Sequence, residues 1–288
     1  MKKSIRVISP AGKPELPQLK KNIKLLQENF DVSTGKYLST SVPYFAATDE
    51  QRRKDLQQAL DDASIDYIWM SRGGYGVTRI IDTIDWKKFK KAPKGVIGFS
   101  DITALHVALN NQGYSSLHAP MMMQLHKAGL QSSITPLLSL LEGNKVTYTL
   151  PSNYQNRTGK VNAPIVGGNL TLIASMIGTP TQLMTKGKIL FLEEVGEPSY
   201  KIDRMMVQLE RAGLLKGIKG LIIGSFSEIS HEKEFGMSAI ECILEKVKNA
   251  EYPIVTNFPA GHAEPNLPIV FGRKASLEVT KKYVKLIV

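Results

Sequence analysis

Cysteine is almost missing from this chain of 288 residues, in which Cys242 stands alone. A single thiol excludes an intramolecular disulfide framework, a four-cysteine zinc site and a CxxC redox pair. Long apolar runs are missing too: nothing approaches the roughly 18 uninterrupted residues of a membrane-crossing helix. After Met1-Lys2-Lys3 the apolar stretch has only a strand's length before Pro10, too short for a signal-peptide core. A soluble, cytoplasmic protein with no membrane partner is expected. No His-Glu-x-x-His or similar ligand spacing occurs, so no metal is expected, and no cofactor fingerprint is complete.

What is present is ordinary for a globular chain. Hydrophobic residues make up 42% and charged residues 22%, enough apolar mass to fill a core without covalent staples. The net charge is +11, but the basic residues are scattered. Their densest group, Lys87, Lys88, Lys90, Lys91 and Lys94 around Trp86 and Phe89, has the pattern of a solvated helix end before a turn at Pro93. No nucleic-acid-recognition motif accompanies it, so no nucleic-acid partner is expected.

The first half alternates short apolar runs with helical periodicity, the pattern of a parallel α/β sheet. Strands are expected at 5–8, 67–70, 96–99 and 116–118, with a weaker one at Lys36-Tyr37-Leu38. Leu19, Ile23, Leu26 and Phe30 recur at helical spacing, and Thr48-Asp49-Glu50 opens a helix through Leu56 and Leu60. Residues 151–162 turn polar and aperiodic, the best linker in the chain. Beyond them a helix opens near Asn169, strands are expected at 188–192 and 220–224 around a helix at 202–212, and strand signals crowd the last 35 or so residues. The expected architecture is α/β: an N-terminal parallel-sheet domain (1–150), a linker (151–162) and a strand-rich mixed C-terminal domain (163–288).

Gly98-Phe99-Ser100-Asp101-Ile102-Thr103 is the most informative hexapeptide. A buried strand runs into Ser100 and a helical pattern runs out. A serine at such a turn presents its hydroxyl above the sheet, beside free helix N–H groups. It is equally the place of an N-cap, for which Ser100 and Asp101 both serve, and the second glycine of a G-x-S-x-G elbow is replaced by Ile102. Ser71-Arg72-Gly73-Gly74-Tyr75-Gly76 follows another strand, and its glycines allow close backbone approach to a ligand or a tight loop. Gly167-Gly168-Asn169, before a helix, has the same two readings with the structural one ahead. Glu193 and Glu194 close a strand at the carboxyl end, where open α/β sheets place their chemistry, and alternation sends them to opposite faces. Of the five histidines, His106 falls inside a helix, His126 and His231 sit in polar surroundings, and His118 ends a strand where it could line a pocket. His262, in a loop dense in glycine and proline, is the best base candidate. Ser100, Glu193 and His262 together supply a nucleophile, an orienting carboxylate and a base, and such triads are defined by role rather than order.

These residues resemble a known family. Ser71-Arg72-Gly73-Gly74-Tyr75-Gly76 with Arg79, Gly98-Phe99-Ser100-Asp101-Ile102-Thr103, His118-Ala119-Pro120, Gly167-Gly168-Asn169-Leu170, Leu192-Glu193-Glu194 and Gly261-His262-Ala263-Glu264-Pro265-Asn266-Leu267-Pro268 are similar, in that order, to the L,D-carboxypeptidases of peptidase family S66. The family also holds the microcin C self-immunity peptidases. The resemblance implies Ser100 as nucleophile, His262 as general base and Glu193, rather than Glu194, as its partner. It places the oxyanion donors at the backbone N–H groups of Gly74 and Asp101. It implies a cofactor-free serine carboxypeptidase, homodimeric and cytoplasmic, that takes the terminal D-alanine from murein tetrapeptides in cell-wall recycling. The alternatives are an amidase acting on an acyl-aminoacyl nucleotide and a non-catalytic ligand-binding α/β protein. Ala119 and Glu194 depart from the commoner glycine and aspartate. The short loop at 194–201 carries no tryptophan, which favours murein peptides. Arg72, Arg79 and Arg273 stand unranked as readers of the terminal carboxylate.

Overall fold

The computed structural model describes residues 2–40, 42–230 and 234–288. Its first half alternates as the sequence predicts: β1 (Ser4–Ile8), α1 (Leu16–Leu26), β2 (Asp31–Thr34), α2 (Asp49–Asp61), β3 (Tyr67–Met70), α3 (Lys87–Lys91), β4 (Gly95–Gly98), α4 (Thr103–Asn111) and β5 (Ser116–His118). Next come α5 (Gln131–Leu141), β6 (Thr147–Pro151), β7 (Gly159–Asn169), α6 (Leu170–Ser175) and β8 (Ile189–Val195). The chain continues through α7 (Ser199–Arg211), β9 (Gly220–Ser227), α8 (Ala239–Lys246) and β10 (Ile254–Val255). It ends with β11 (Ile269–Phe271), β12 (Lys274–Val279) and β13 (Tyr283–Ile287).

Two sheets result. The first has the order β11-β5-β4-β3-β1-β2, parallel throughout except for β11, which pairs antiparallel with β5. The second has the order β10-β9-β8-β7-β12-β13-β6, parallel from β10 to β7 and antiparallel from there on. The parallel first sheet and mixed second sheet are those expected, and their strands carry the near-continuous apolar runs of doubly covered sheets. Between the sheets lies α4, buried along Thr103–Asn110, against β7 and α6. One apolar core runs through it, joining Met70, Phe99 and Leu105 to Leu170, Leu192 and Leu209.

Three expectations are corrected. Lys36-Tyr37-Leu38 is no strand: the buried Asp55 carboxylate accepts the N–H groups of Lys36 (3.0 Å) and Tyr37 (2.7 Å), which takes those donors away from a ladder. The strand falls earlier, at β2. Residues 151–162 do not form a free linker, because Pro151 closes β6 and residues 159–162 begin β7. Between them Arg157 bridges to Ile254, and its guanidinium donates to the carbonyls of Val247 and Ala250 beyond α8. Polar side chains there bond at the edge of the second sheet and to the segment after α8 while staying partly or fully exposed. In the sheets themselves, β6 joins the second and β11 returns to edge the first. Lys94, expected to be solvated, is buried and donates its ammonium to the Leu60 carbonyl.

Candidate active site

Ser100 lies just beyond β4, after the single extended residue Phe99, and has φ 63°, a left-handed backbone that a non-glycine residue adopts only under strain. The strain turns the chain sharply from strand to helix and lifts Oγ above the sheet's carboxyl edge. Gly98 makes the turn possible: a Cβ there would stand 2.9 Å from Ile102 Cγ1 and 3.1 Å from Met70 Cγ. Ile102 thus fills the space Gly98 leaves, so the second glycine of the usual elbow is not needed. Neither Ser100 nor Asp101 acts as an N-cap. Ser100 Oγ bonds to a histidine, and Asp101 Oδ2 accepts the Val77 N–H at 2.9 Å.

The glycine loop after β3 lies against this turn. A Cβ on Gly73 would come within 3.0 Å of Ser100 Cβ and 3.2 Å of its Oγ, so only glycine leaves the hydroxyl its room. Gly74, at φ 104°, takes a conformation closed to most side chains. The loop is fixed from behind by Arg52, which is fully buried and donates to the carbonyls of Pro10, Ala47 and Gly76 while pairing with Asp49. Burial pushes the Asp101 carboxyl up to about 6, against the backbone donors of Val77 and Gly76 and the charge of Arg52.

Glu193 and His262 come from the second half of the chain. Near the end of β8 the register with β9 slips between Leu192 and Glu194, an irregularity of the kind that re-aims side chains beside sites. Glu193 is fully buried, and its Oε2 lies 2.7 Å from His262 Nδ1. The other ring nitrogen, Nε2, lies 3.1 Å from Ser100 Oγ across a sequence separation of 162 residues. The Phe99 ring meets the imidazole edge-on at 4.8 Å. Burial pulls the His262 pKa down, but the hydrogen bond and charge of Glu193, with Glu194 and Glu228 behind, outweigh it and leave the pKa raised. Gly261 lets the histidine loop come this close: at φ 129°, a Cβ would meet Glu193 Oε2 at 2.9 Å and collide with Ser225 Oγ.

Glu194 points the other way, as strand alternation predicts. It accepts from Asn169 Nδ2 (2.8 Å) and from the N–H groups of Thr171 (2.8 Å) and Val195 (2.9 Å). Asn169 also caps α6, and its own N–H donates to Thr103 Oγ1 at 3.0 Å. Thr103 opens α4, the helix that leaves Ser100. A buried polar chain therefore ties the serine's helix to the glutamate's strand.

The structure thus brings Ser100, Glu193 and His262 into one hydrogen-bonded line. Ser100, His262, Gly73 and Gly74 line one cavity of about 520 Å³, and Asp101 sits in the first turn beyond the serine. A second cavity of about 600 Å³ shares Glu15, Arg72 and Gly74 with it. His118 lines neither. It is buried among Phe99, Phe191 and Phe271, and burial lowers its pKa to about 3. His106 is buried beside the Gly98 carbonyl, His126 is exposed, and His231 falls outside the described residues. Sequence reasoning missed Arg52 and Asn266. Arg52 shares the i, i+4, i+8 stripe of Leu56 and Leu60, which placed it inward. Asn266 holds the histidine loop by accepting the Gly261 N–H (2.9 Å) and bonding His118 Nε2 (3.1 Å), with no periodic signal to mark it. Among the described residues no group of three or more His, Cys, Asp or Glu side chains is arranged for a metal.

Residues 5–119 match the N-terminal domain of LD-carboxypeptidases, and residues 162–277 match their C-terminal domain. The chain is 33% identical to a probable murein peptide carboxypeptidase of Bacillus subtilis, over 97% of this chain and 90% of that one. It is 31% identical to a murein tetrapeptide carboxypeptidase of Pseudomonas aeruginosa, over 95% and 92%. The muramoyltetrapeptide carboxypeptidase of Oxalobacter formigenes superposes with a TM-score of 0.89 at 28% identity, covering 99% of this chain and 98% of that one. A microcin C7 self-immunity protein shares the fold, with a TM-score of 0.87 at 19% identity over 99% of this chain and 95% of that one. With both domains matched and the relatives aligned almost end to end, this chain belongs to the S66 LD-carboxypeptidase family and is a carboxypeptidase.

Proposed function

We propose that the chain is a serine carboxypeptidase that releases the terminal D-alanine from murein tetrapeptides. The observation that carries this reading is the line Glu193 Oε2–His262 Nδ1 (2.7 Å) and His262 Nε2–Ser100 Oγ (3.1 Å) at the wall of a cavity. His262 Nε2 takes the hydroxyl proton as Ser100 Oγ attacks the carbonyl carbon preceding the terminal residue. The resulting oxyanion is met by the backbone N–H groups of Gly74 and Asp101, a device worth about 10²–10³ in rate per donor. His262 then gives its proton to the departing amine, and D-alanine leaves. Water, deprotonated by the same nitrogen, attacks the acyl carbon and frees Ser100 with its proton restored. Glu193 stays ionised throughout, fixing the Nδ1–H tautomer and stabilising the imidazolium.

Neither tryptophan lines the Ser100 cavity. Trp69 is buried in β3 and Trp86 precedes α3, while the loop between β8 and α7 is only residues 196–198. This supports a peptide substrate over an acyl-aminoacyl nucleotide. The natural substrates in this reading are murein peptides returned to the cytoplasm by wall turnover, and the active protein is a homodimer, which sedimentation would test. The decisive assay is D-alanine release from a soluble murein tetrapeptide by wild type and Ser100→Ala. Release by the wild type alone is expected. Release by both proteins would remove Ser100 as the nucleophile. Release by neither would remove the substrate, with turnover of an acyl-aminoacyl nucleotide as the next comparison.

A further inference from the structure

A carboxypeptidase must distinguish a chain end from an internal peptide bond, and the difference is one free carboxylate. That group requires a cation within one residue's reach of the attacked carbonyl. Three arginines are candidates, and the structure separates them. Arg79 is committed elsewhere, with Nε and Nη2 on the Asp49 carboxylate at 2.6–3.0 Å and its guanidinium over Phe45. Arg273 lines a different cavity with Gly95 and Tyr67, at the amino ends of β3 and β4, a strand's length from Ser100. Arg72 lines the Ser100 cavity itself and the adjoining one, immediately before the two glycines that face the nucleophile.

Two features fit Arg72 for an anion. Nη1 donates to the Lys13 carbonyl at 2.8 Å, which orients the guanidinium without neutralising it. Among the described residues it has no carboxylate partner within 4.0 Å, although Glu15 lines the same walls. The other lysine or arginine among the described residues of the cavity is Lys127, already paired with Glu264 at 3.3 Å, and His126 lines the wall beside it. A planar guanidinium with Nε and Nη2 unspent matches the two oxygens of a carboxylate.

We infer that Arg72 binds the C-terminal carboxylate of the peptide and thereby confines this enzyme to chain ends. The inference rests on the carboxypeptidase reading of the Ser100 cavity and adds the group that reads the terminus. Its test compares kcat/KM for a tetrapeptide ending in D-alanine with that for the same peptide ending in D-alanine amide. The wild type should prefer the free acid by about 10²-fold, the scale of a charge-assisted hydrogen-bonded pair. In Arg72→Ala the acid should lose that preference, bringing the acid-to-amide ratio to within about threefold of one. Arg72→Lys should recover part of the ratio, since a point charge remains without the fork. Lys127→Ala should leave the ratio unchanged. An unchanged acid-to-amide ratio in Arg72→Ala would overturn the inference while leaving the catalytic reading intact, as would collapse of the ratio in Lys127→Ala. Cleavage of neither peptide by the wild type would overturn the substrate reading, and this inference with it.

Discussion

The two walls of the catalytic cleft are built by different means. On the serine wall the backbone does the positioning: a left-handed turn at Ser100, glycines at 73 and 74, and a buried arginine that grips carbonyl oxygens. On the opposite wall side chains do it. Glu193 is sunk in the second sheet, His262 stands on it, and Asn266 holds the loop that carries the histidine. Backbone dipoles do not titrate, so the N–H donors of the serine wall keep their charge at every pH, and only the buried Asp101 carboxyl beneath them changes state, at about 6. The glutamate–histidine wall carries a proton and changes with it. In the proposed mechanism one wall governs where charge is received, and the other governs when the proton moves.

The harshest trial of this division removes one reacting atom from each wall. Ser100→Ala and His262→Ala should each lower kcat by about 10⁴-fold or more, with far-ultraviolet circular dichroism unchanged, and the double variant should lose little further, because the two act as a unit. Additive losses would mean that the walls work separately.

Glu193→Gln comes next, with about a 10³–10⁴-fold fall in kcat. It also tests the assignment of titration to one wall. Only neutral His262 accepts the serine proton, so wild-type activity falls as pH drops through its raised pKa. Removing the carboxylate that raises this pKa should shift the acidic limb to lower pH. Asp101→Asn should leave the limb in place. A shift there would show that the serine wall titrates the reaction too.

Glycine substitutions sharpen the contrast further. Gly73→Ala crowds the Ser100 hydroxyl and Gly261→Ala pushes the histidine loop off Glu193. Each should cost about 10²-fold in kcat, the scale of an ångström's misplacement. Gly261→Ala alone should also move the pH profile, since it alone disturbs the ion pair.

The smallest effect is on stability. Asp101 has a folded pKa of about 6 against an ordinary value of 3.8, so its contribution is most favourable when protonated and is lost as pH rises from about 4 to 6. Asp101→Asn should therefore gain about 2 kcal/mol relative to wild type on crossing that window, measured by urea unfolding at either end. A constant difference would mean that Val77 and Arg52 hold the carboxylate ionised at both.

The backbone-built wall was the more legible of the two in the sequence. Gly73, Gly74 and Ser100 lie inside short motifs at the carboxyl ends of strands, where local turn chemistry marks them as candidates beside the readings of a tight loop and an N-cap. The glutamate was half legible: alternation sent Glu193 and Glu194 to opposite faces, but the choice between them came from family resemblance. The structure then shows Glu194 tied to Asn169 and Thr103 instead. Pairing at a distance escaped the sequence. Three apolar residues at 269–271 state that a strand exists and say nothing of which sheet receives it. The failed strand at 36–38 has the same cause, because its backbone donors are claimed by Asp55 from another helix.

That returning strand lies close in the chain to the histidine and far from the serine. As the chain leaves the ribosome, Ser100 and the glycine loop emerge early, yet the edge of their sheet is still unsynthesised. His262 appears 162 residues after the serine, and β11, which closes the first sheet against β5, comes within ten residues of it. A nascent chain halted before residue 262 holds a serine without His262 and a first sheet without β11. The last strand of the first sheet and the histidine of the second wall are thus made almost together, so in the proposed mechanism the serine gains its base at the same stage as its sheet gains its edge.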